Sequence, residues 1–419
     1  MIEDKLHSKP LVSVLVLDYN GQRFWPELLV AIEGQTFRDF ELVVVQNGGP
    51  LQIPANLGEI PVRLLKGQGN LGFAGGVNFA ASRARGKYLA LLNNDAVPER
   101  DWLQELVSAL EADPKTAAVC GKVLFYDRYV KVEIEAPLFR PDLEDGVEDD
   151  RWLGVQVRLA KRQASLYQRE GTHRLELIEG EYWVWTEGRA TLYFPVAEAG
   201  ELPLQIGSHR SQSGKRARFR IEGGDGAISV ELEGARQELR LEIPNGASFD
   251  LVNGAGSEFT EDWSLRELGL YQKDGPEFSR PKELEMGSGC SLLLRRAALT
   301  DQPFDEEFFA YFEDSDLCLR LRRSGWKVLF APRSVVRHHG SATTGVLSAM
   351  TIFYSLRNRV WLVAKFAPWP VVWRTVREGF SKYDKFDRYL SEPYSLSRLK
   401  REIWTGLAKR LWRRWCDDD

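Results

Sequence analysis

The run LALLNND ends in three small polar side chains that could meet a ligand. They are Asn93, Asn94 and Asp95, and a predicted turn and helix follow them. The simplest explanation is the turn itself, because Asn and Asp accept left-handed backbone angles and bond to their own neighbours. Ligand binding is the alternative, since open α/β sheets bind ligands at the carboxyl ends of their strands.

A second polar group opens a predicted amphipathic helix in FFAYFEDSDLCLRLRRSGW, residues 308–326. It consists of Glu313, Asp314 and Asp316. Acids at a helix start complement the helix dipole, which is worth about 0.3–1 kcal/mol for each charge. Three acids beside an aromatic cluster exceed what capping needs. Aromatic rings next to carboxylates suit a sugar-sized ligand, whose apolar face stacks while its hydroxyl groups need acceptors.

A glycine-rich turn, GNLGFAGGVNFA at residues 69–80, runs into another predicted helix. Such a turn lets backbone N–H groups approach a ligand, and a helix start favours negative charge. It is not a Walker loop, because no Gly-Lys-Ser/Thr follows, and it does not directly follow the first strand as a dinucleotide fingerprint would. Taken alone, the turn fits a structural role equally well.

The segment SVVRHHGSATTG, residues 334–345, offers two of the five histidines in the chain, His338 and His339. A neutral imidazole nitrogen can complete a metal sphere or contact a phosphate. Histidines in such surroundings are more often surface or core residues, so the pair by itself assigns no site.

Bulk properties exclude several classes of protein. The chain has 419 residues, of which 43% are hydrophobic and 28% charged, as in a globular protein with two or three cores. A net charge of -4 offers no basic field for nucleic acid, and four scattered cysteines indicate neither a zinc site nor a disulfide framework. The N-terminus lacks a secretory signal, and no apolar run reaches the roughly 18 residues that span a bilayer. We therefore expect a cytoplasmic protein. Contact with the inner face of the cell membrane is compatible with this expectation.

Residues 11–121 alternate short apolar runs with stretches of helical spacing, which is typical of a parallel α/β sheet. The predicted strands are 11–17, 41–47, 62–66, 87–95 and 117–123. Such units make a doubly wound sheet with its ligand site at the carboxyl strand ends. Asn93, Asn94 and Asp95 stand at one of these ends.

The pattern changes near Asp127 to short alternating segments broken by Gly, Pro and Asn, and changes back near Leu251. The alternating part predicts an antiparallel β-sandwich of roughly a hundred residues. We therefore predict four parts: an α/β part at 1–127, an inserted sandwich-like domain at 128–251, a second α/β part at 252–345, and C-terminal helices at 346–419.

The last predicted helix is basic and amphipathic. Its apolar stripe, at three- and four-residue spacing, consists of Leu399, Ile403, Trp404, Leu407, Leu411, Trp412 and Trp415. The other faces carry Arg398, Lys400, Arg401, Lys409, Arg410, Arg413 and Arg414. The helix would either lie on an anionic membrane surface or pack on the α/β part with its basic face in solvent.

Seven segments, in this order, resemble glycosyltransferase family 2, the GT-A-type inverting transferases, and in particular its bacterial rhamnosyltransferase-like members. They are VSVLVLDYNG, ELVVVQNGG, NLGFAGGVN, LLNNDAVPERDWL, GSGCSLLLRRAAL, FDEEFFAYFEDSDLCLRLRRSGWKVLFAP and VVRHHGSAT. They cover roughly residues 10–125 and 252–365, so the inserted β-rich domain lies outside the resemblance. The resemblance implies a GT-A, Rossmann-like, mostly parallel sheet, to which the inserted domain and the C-terminal helices are added.

The resemblance implies that NND takes the place of the family's metal-binding acidic motif. Asp95 would bind Mg2+ or Mn2+ on the diphosphate of a nucleotide-sugar donor, and His338 or His339 would supply a further ligand. The nucleotide sugar would be held at two strand ends and in the glycine-rich stretch, by Asp18, Tyr19, Asn20, Gln46, Asn47, Asn70, Gly72, Asn78, Asn93 and Asn94.

The resemblance also implies a catalytic pair. Asp314 would be the general base for the acceptor hydroxyl, and Glu313 would orient the acceptor beside the turn around Gly289. Attack opposite the leaving group would invert the anomeric centre. The predicted enzyme is a metal-dependent inverting hexosyltransferase. It would move a deoxyhexose, such as rhamnose from a dTDP- or UDP-linked donor, to a glycan or lipid-linked glycan in bacterial surface polysaccharide synthesis.

The alternative is a transferase fold that has lost catalysis and binds or scaffolds glycans through the inserted domain. The single carboxylate of NND motivates it, as does Gln46, which stands where many relatives carry Asp. Aromatic residues of the inserted domain would stack on sugars, although core positions are their more common use: Trp152, Tyr182, Trp183, Trp185 and Tyr193. Nucleotidyl transfer fits less well, because the glycine-rich stretch lacks the basic residues that grip a triphosphate.

Overall fold

The computed structural model describes residues 9–67, 69–160, 170–196, 200–261, 263–340, 348–383, 387 and 390–417. The chain divides into two compact units. The first comprises Met1–Tyr126, Val252–Leu270 and Gly275–Asp419, and the second comprises Asp127–Leu251 and Tyr271–Asp274. The SATTG portion of the histidine segment, residues 341–345, lies outside the described residues.

The first unit begins with alternating strands and helices. Its strands are β1 (Val12–Asp18), β2 (Phe40–Gln46), β3 (Asn56–Leu57), β4 (Ile60–Lys66), β5 (Tyr88–Asn93), β6 (Ala96–Pro98) and β7 (Thr116–Phe125). Its first helices are α1 (Trp25–Glu33), α2 (Gly72–Ala81) and α3 (Trp102–Glu111). The apolar runs thus predicted β1, β2, β4, β5 and β7 to within about two residues at each end.

Four of these strands form the parallel centre of the sheet, in the order β4, β2, β1, β5. Alternate residues of β1 enter two different apolar cores, with Val12, Val14 and Val16 on one face and Leu15 on the other. Strands that are buried on both faces read as continuous apolar runs rather than as alternating ones. This double burial is why the sequence located the strands so well.

The second unit consists of antiparallel strands. They are β8 (Arg128–Glu135), β9 (Gln156–Leu159), β10 (Glu170–Ile178), β11 (Glu181–Val196), β12 (Glu201–Gly207), β13 (Arg216–Ile221), β14 (Ile228–Glu231) and β15 (Arg236–Glu242), with the short helix α4 (Pro141–Glu144). They form one hydrogen-bonded sheet of eight strands. The long strand β11 pairs with β9 through residues 182–185 and with β8 through residues 189–196, so it links two halves of the sheet.

The aromatic residues predicted to stack on sugars in this unit differ in exposure. Trp183 is buried, whereas Trp152 is 52% exposed with the Arg140 guanidinium above its ring. Glycan binding by the second unit stays a prediction.

The chain then returns to the first unit and completes it. The remaining strands are β16 (Val252–Gly254), β17 (Ser257–Phe259), β18 (Leu265–Glu267), β19 (Lys282–Glu283), β20 (Ser291–Arg295) and β21 (Lys327–His338). The remaining helices are α5 (Glu313–Arg323), α6 (Ala349–Phe366), α7 (Trp369–Tyr383) and α8 (Leu396–Asp417). Strand β20 lies antiparallel between β5 and β7, and β21 runs parallel to β7. The central sheet is therefore mostly parallel, as expected for a GT-A-type fold, with an antiparallel strand at its middle.

Helix α8 packs on α6 through part of its predicted apolar stripe. Leu399, Ile403 and Leu407 are buried, whereas Trp404 is 49% and Trp412 is 64% exposed. Arg410, expected on a solvent face, is buried beside the carboxylates of Asp305 and Glu307, and this correction follows from the two charges available to it. No described helix is both long and apolar enough to span a bilayer. Membrane contact of α8 stays a prediction.

Candidate active site

A cleft of about 580 Å³ lies at the carboxyl ends of β1, β2 and β5 in the first unit. Eleven of the residues predicted to form a site line it: Tyr19, Asn47, Asn70, Gly72, Asn93, Asn94, Asp95, Gly289, Glu313, Asp314 and His338. Residues that are up to about 300 positions apart in the chain therefore meet at one edge of the sheet, where open α/β sheets bind ligands.

Five predicted site residues are described by the structure but do not line the cleft: Asp18, Asn20, Gln46, Asn78 and His339. Asn20 has a φ of 57° and accepts a hydrogen bond from the Gly49 N–H at 2.8 Å. The Asn78 side chain donates a hydrogen bond from Nδ2 to the Phe304 carbonyl oxygen at 2.9 Å and accepts one at Oδ1 from the Phe304 N–H at 3.0 Å. Both asparagines thus support the backbone around the cleft, and their direct contact with a nucleotide stays a prediction.

Asp95 comes to lie beside His338 through strand pairing. Strand β6 follows Asp95 directly and pairs antiparallel with the end of β21, with Ala96 opposite His338. The His338 Nε2 atom lies 3.2 Å from Oδ1 of Asp95. Burial by itself would raise the pKa of Asp95, but the charge and hydrogen bond of His338 outweigh it, so that the pKa is lowered. Asp95 is therefore a buried carboxylate that stays ionised.

The ring of His338 is oriented by a residue that the sequence did not single out. Its Nδ1 lies 2.8 Å from the amide oxygen of Asn253, which can only accept, so that Nδ1 carries the hydrogen. This leaves Nε2 to face Asp95, as in metal sites where a second partner fixes the imidazole. The ring of His339 instead stacks on Tyr126 at 3.7 Å and lies 3.6 Å from the Glu27 carboxylate. His338, rather than His339, is thus the histidine beside Asp95.

Asp95 and His338 fit a divalent cation only in part. A carboxylate oxygen and an imidazole nitrogen 3.2 Å apart are suitable neighbouring ligands. Among the described residues, no group of three or more His, Cys, Asp or Glu side chains is placed to hold a metal ion. A cation here would therefore need oxygen atoms of a bound ligand or water to complete its sphere.

Asp18 ties the first strand end to the NND turn. Its Oδ1 accepts hydrogen bonds from Trp25 Nε1 at 2.7 Å, Asn94 Nδ2 at 3.1 Å and the Gly21 N–H at 3.2 Å. Its Oδ2 is buried and has no partner within the described part of the chain. Asp18 therefore fixes Asn94 in the cleft wall and keeps one acceptor atom unused.

The glycine-rich stretch is held by two asparagines. Asn47, just past β2, accepts from the Leu71 N–H at 2.8 Å and donates to the Gly72 carbonyl at 3.0 Å. Asn70 accepts from the Gly72 N–H at 2.9 Å. Gly72 has a φ of 69° and directly opens α2, so the turn and the helix start are fixed against the end of β2. These hydrogen bonds use the N–H groups of Leu71 and Gly72, so the asparagines fix the shape of the cleft wall.

The predicted catalytic pair opens α5. Asp314 Oδ2 accepts from the Gly289 N–H at 2.7 Å, and its Oδ1 accepts from the Ser315 N–H at 2.7 Å. Burial raises the pKa of Asp314 although these hydrogen bonds oppose the rise. A carboxylate with a raised pKa is the stronger proton acceptor. Asp314 is thus held by the GSGC turn, as a general base would need to be.

Glu313 and Asp316 differ in their surroundings. Glu313 lines the cleft, and burial together with the nearby Asp314 raises its pKa well above the usual value. Asp316 is fully buried and pairs with Arg320 at 2.8 Å and with Lys365. Two of the three acids at this helix start therefore face the cleft, and the third supports the helix.

A further carboxylate of the cleft, Glu267, was not among the predicted site residues. It ends β18 and is open to the solvent of the cleft, with Ser257 and Gly254 beside it. Desolvation of the carboxyl group within the cleft and the charge of Asp314 raise the pKa of Glu267 to about 7, although a hydrogen bond with Ser257 opposes the rise. No local pattern indicates it, because SLREL is unremarkable in sequence and only the β17–β18 pairing brings it to the cleft.

A family model matches the stretch of chain that supplies the first part of this cleft. The glycosyl transferase family 2 model matches residues 13–163. The match includes β1, β2, α2, β5 and the NND turn, and continues past Tyr126 into the second unit. It ends before Glu267, Gly289, Asp314 and His338.

Curated relatives agree with this family. An N-acetylglucosaminyl-diphospho-decaprenol L-rhamnosyltransferase of Mycobacterium tuberculosis is 43% identical over 145 residues, which is 30% of this chain and 46% of the relative. An uncharacterized glycosyltransferase of Haemophilus influenzae is 29% identical over 115 residues, which is 26% of this chain and 36% of the relative. The chain thus spans less than half the length of these two relatives.

Among solved structures, the chain is similar to GalNAc-T7 with UDP, GalNAc and Mn2+. The identity is 13% and the TM-score 0.43, over 96% of this chain and 55% of the other. A likeness at this level carries no argument about the site. Residues 13–163 thus match the glycosyl transferase family 2 model, and the relatives that resemble this chain are named as glycosyltransferases.

Proposed function

We propose that the protein is a metal-dependent inverting glycosyltransferase that uses a nucleotide-sugar donor and a glycan hydroxyl as acceptor. One observation carries this proposal: Asp95 with His338, and Asp314 with Glu313, line the same cleft. An ionised carboxylate suits the diphosphate side of such a reaction, and a carboxylate with a raised pKa suits proton acceptance.

In this account each side chain has a separate task. Asp314 accepts the proton of the acceptor hydroxyl, with its two oxygens held by the Gly289 and Ser315 N–H groups. Glu313, whose pKa is raised by burial and by the nearby Asp314, orients the acceptor. A single base is enough when the acceptor attacks the anomeric carbon directly, opposite the leaving group, and the anomeric centre is then inverted.

On the donor side, Asp95 and His338 would hold Mg2+ or Mn2+, which offsets charge on the leaving diphosphate. The cleft wall formed by Asn47, Asn70 and Gly72 would hold the nucleotide. Tyr19 and Asn93, in the same wall, would contact the base and ribose.

For the sugar and the acceptor we propose the classes that the rhamnosyltransferase relative suggests. That relative is named for transfer of L-rhamnose to an N-acetylglucosaminyl-diphospho-lipid. Its 43% identity over 145 residues supports a deoxyhexose such as rhamnose, from a dTDP- or UDP-linked donor, and a lipid-linked glycan acceptor in surface polysaccharide synthesis.

Nucleotide binding tests the proposal before donor and acceptor are known. Thermal unfolding would be followed with UDP, dTDP, GDP or CDP, each with and without Mn2+. We expect one nucleotide to raise the Tm in a metal-dependent way, since a ligand at 100 times its Kd adds about 2.7 kcal/mol to the free energy of unfolding. The control, Asp95→Asn, should lose the metal-dependent part of the rise. Absence of any shift with all four nucleotides would contradict the proposed function.

A further inference from the structure

The loop that precedes the catalytic pair holds three non-glycine residues in the left-handed region. Phe309, Tyr311 and Phe312 have φ values of 64°, 70° and 71°. Such residues persist only where the surrounding structure holds them. Because the loop leads directly into Glu313 and Asp314, whatever holds the loop also sets the position of the proposed base.

The side-chain amide of Asn358 in α6 holds the loop from one side. Asn358 is fully buried, and its Nδ2 atom lies 2.8 Å from each of three carbonyl oxygens, those of Phe308, Ala310 and Tyr311. An amide nitrogen shared among three carbonyls fits only one shape of this loop. The arrangement requires the turned backbone that the positive φ values produce.

Arg357, the preceding residue, supports the same loop and fixes the Asn358 amide. Its Nη2 donates to the carbonyl oxygens of Glu307 at 2.8 Å and Phe308 at 3.0 Å, and its Nε donates to Oδ1 of Asn358 at 2.9 Å. Its Nη1 pairs with Glu402 of α8 at 2.6 Å. The loop is thereby linked to both α6 and α8.

The other side of the loop contacts the start of α2. The Phe309 carbonyl accepts from the N–H groups of Phe73 at 2.6 Å and Ala74 at 3.1 Å. The loop therefore lies between the glycine-rich stretch on the donor side and the helix that carries Asp314. Its shape sets the distance between the two.

We propose that Arg357 and Asn358 are positioning residues, which hold the 308–312 loop in its turned shape and so place Asp314 for catalysis. The positioning of Asp314 for catalysis rests on the proposed function, whereas the support of the loop by these two residues does not. Neither residue lines the cleft, so that both act through the loop.

The test compares the full chain with Asn358→Ala and Arg357→Lys, the second of which keeps a positive charge opposite Glu402. Arg359→Ala is the matched control, because Arg359 is exposed on the same helix and its nearest polar partner is Ser264 Oγ at 3.4 Å. Three quantities are measured: amide hydrogen exchange across residues 305–316, the Kd of the nucleoside diphosphate found by the nucleotide screen, and kcat as nucleoside diphosphate release from the matching nucleotide sugar in the presence of an N-acetylglucosaminyl-diphospho-lipid acceptor.

We expect faster exchange in 305–316 for both variants and a kcat lowered about 100-fold, as a misplaced catalytic group produces, with little change in the nucleotide Kd. Arg359→Ala should resemble the unmodified protein. If Asn358→Ala does not fold, Arg357→Lys provides the comparison. If hydrogen exchange in 305–316 is unchanged in both variants, Arg357 and Asn358 do not hold the loop. If exchange is faster but kcat is unchanged, the two residues do not position Asp314. If the unmodified protein turns over no donor, the proposed function fails, while the exchange comparison still decides whether the two residues hold the loop.

Discussion

Asp95 and Asp314 line the same cleft, yet their surroundings shift their pKa values in opposite directions. Both carboxyl groups are enclosed, and burial raises the pKa of each. At Asp95 the neighbouring His338 outweighs burial, whereas at Asp314 the backbone donors do not. Opposite shifts of this kind are typical of sites in which one acid stays charged and another exchanges a proton. Residue types alone could not predict this, because both are simply Asp in the sequence.

Glu267 gives a pH-dependent prediction for stability. Its pKa is raised from 4.5 to about 7, so the folded state binds its proton more tightly than the unfolded state does. The stability gained from that proton is present at low pH and is lost as the pH rises from 4.5 through 7. We therefore expect Glu267→Gln to have little effect on the Tm at about pH 4 and to raise the Tm relative to the unmodified protein at about pH 8.

The control for this comparison is Glu261→Gln, an exposed carboxylate between β17 and β18. Thermal unfolding of the three proteins across this pH range provides the measurement. A Glu267→Gln protein whose Tm difference from the unmodified chain does not grow with pH would contradict the raised pKa.

Among the elements, α2 depends most closely on the identity of a single residue. Gly72 opens the helix with a φ of 69°, and a Cβ atom there would lie 2.5 Å from the Phe309 carbonyl oxygen and 2.6 Å from its ring. The glycine is needed twice, for its backbone angle and for the close approach of the loop. From the sequence, the glycine-rich turn was interpreted only as a place where backbone N–H groups approach a ligand, so neither need was predicted, and the second depends on a residue more than 200 positions away.

Gly72→Ala should therefore destabilise the protein by more than the backbone strain alone. Gly69→Ala is a matched comparison, because Gly69 has a φ of 88° but no atom within 4 Å of an added Cβ. We expect Gly69→Ala to cost about 1 kcal/mol in the free energy of unfolding, from strain, and Gly72→Ala to cost clearly more. Urea unfolding measures both. Equal decreases in the free energy of unfolding would show that a steric clash with Phe309 does not add to the cost at Gly72.

Elements that are buried on both faces were predicted well, and those defined by long-range pairing were not. Strands such as β1 and β5 read as apolar runs because helices cover both sheet faces. By contrast, the antiparallel position of β20 between β5 and β7 depends on pairing, which periodicity does not encode. In α8, Arg410 was expected in solvent, because its partners Asp305 and Glu307 lie about a hundred positions earlier.

At the scale of the whole molecule, the cleft draws on two distant stretches of the first unit. Residues 13–163 of the family match supply Asp95 and the glycine-rich wall, whereas Glu267, Gly289, Asp314 and His338 follow the second unit in the chain. The resemblance of separate motifs predicted that these stretches act together. It did not predict Glu267, Asn253 or the pair Arg357 and Asn358, whose contacts arise only on folding.

The central claim is that this one cleft binds a nucleotide through its Asp95 side and transfers a sugar through Asp314. The most direct test compares the unmodified protein with Asp314→Asn in two assays: the metal-dependent rise in Tm with nucleotide, and nucleoside diphosphate release from the matching nucleotide sugar in the presence of an N-acetylglucosaminyl-diphospho-lipid acceptor. We predict that Asp314→Asn keeps the rise in Tm and loses turnover by about 100-fold or more, as expected when a general base is removed. Turnover that is retained at the level of the unmodified protein would contradict the account.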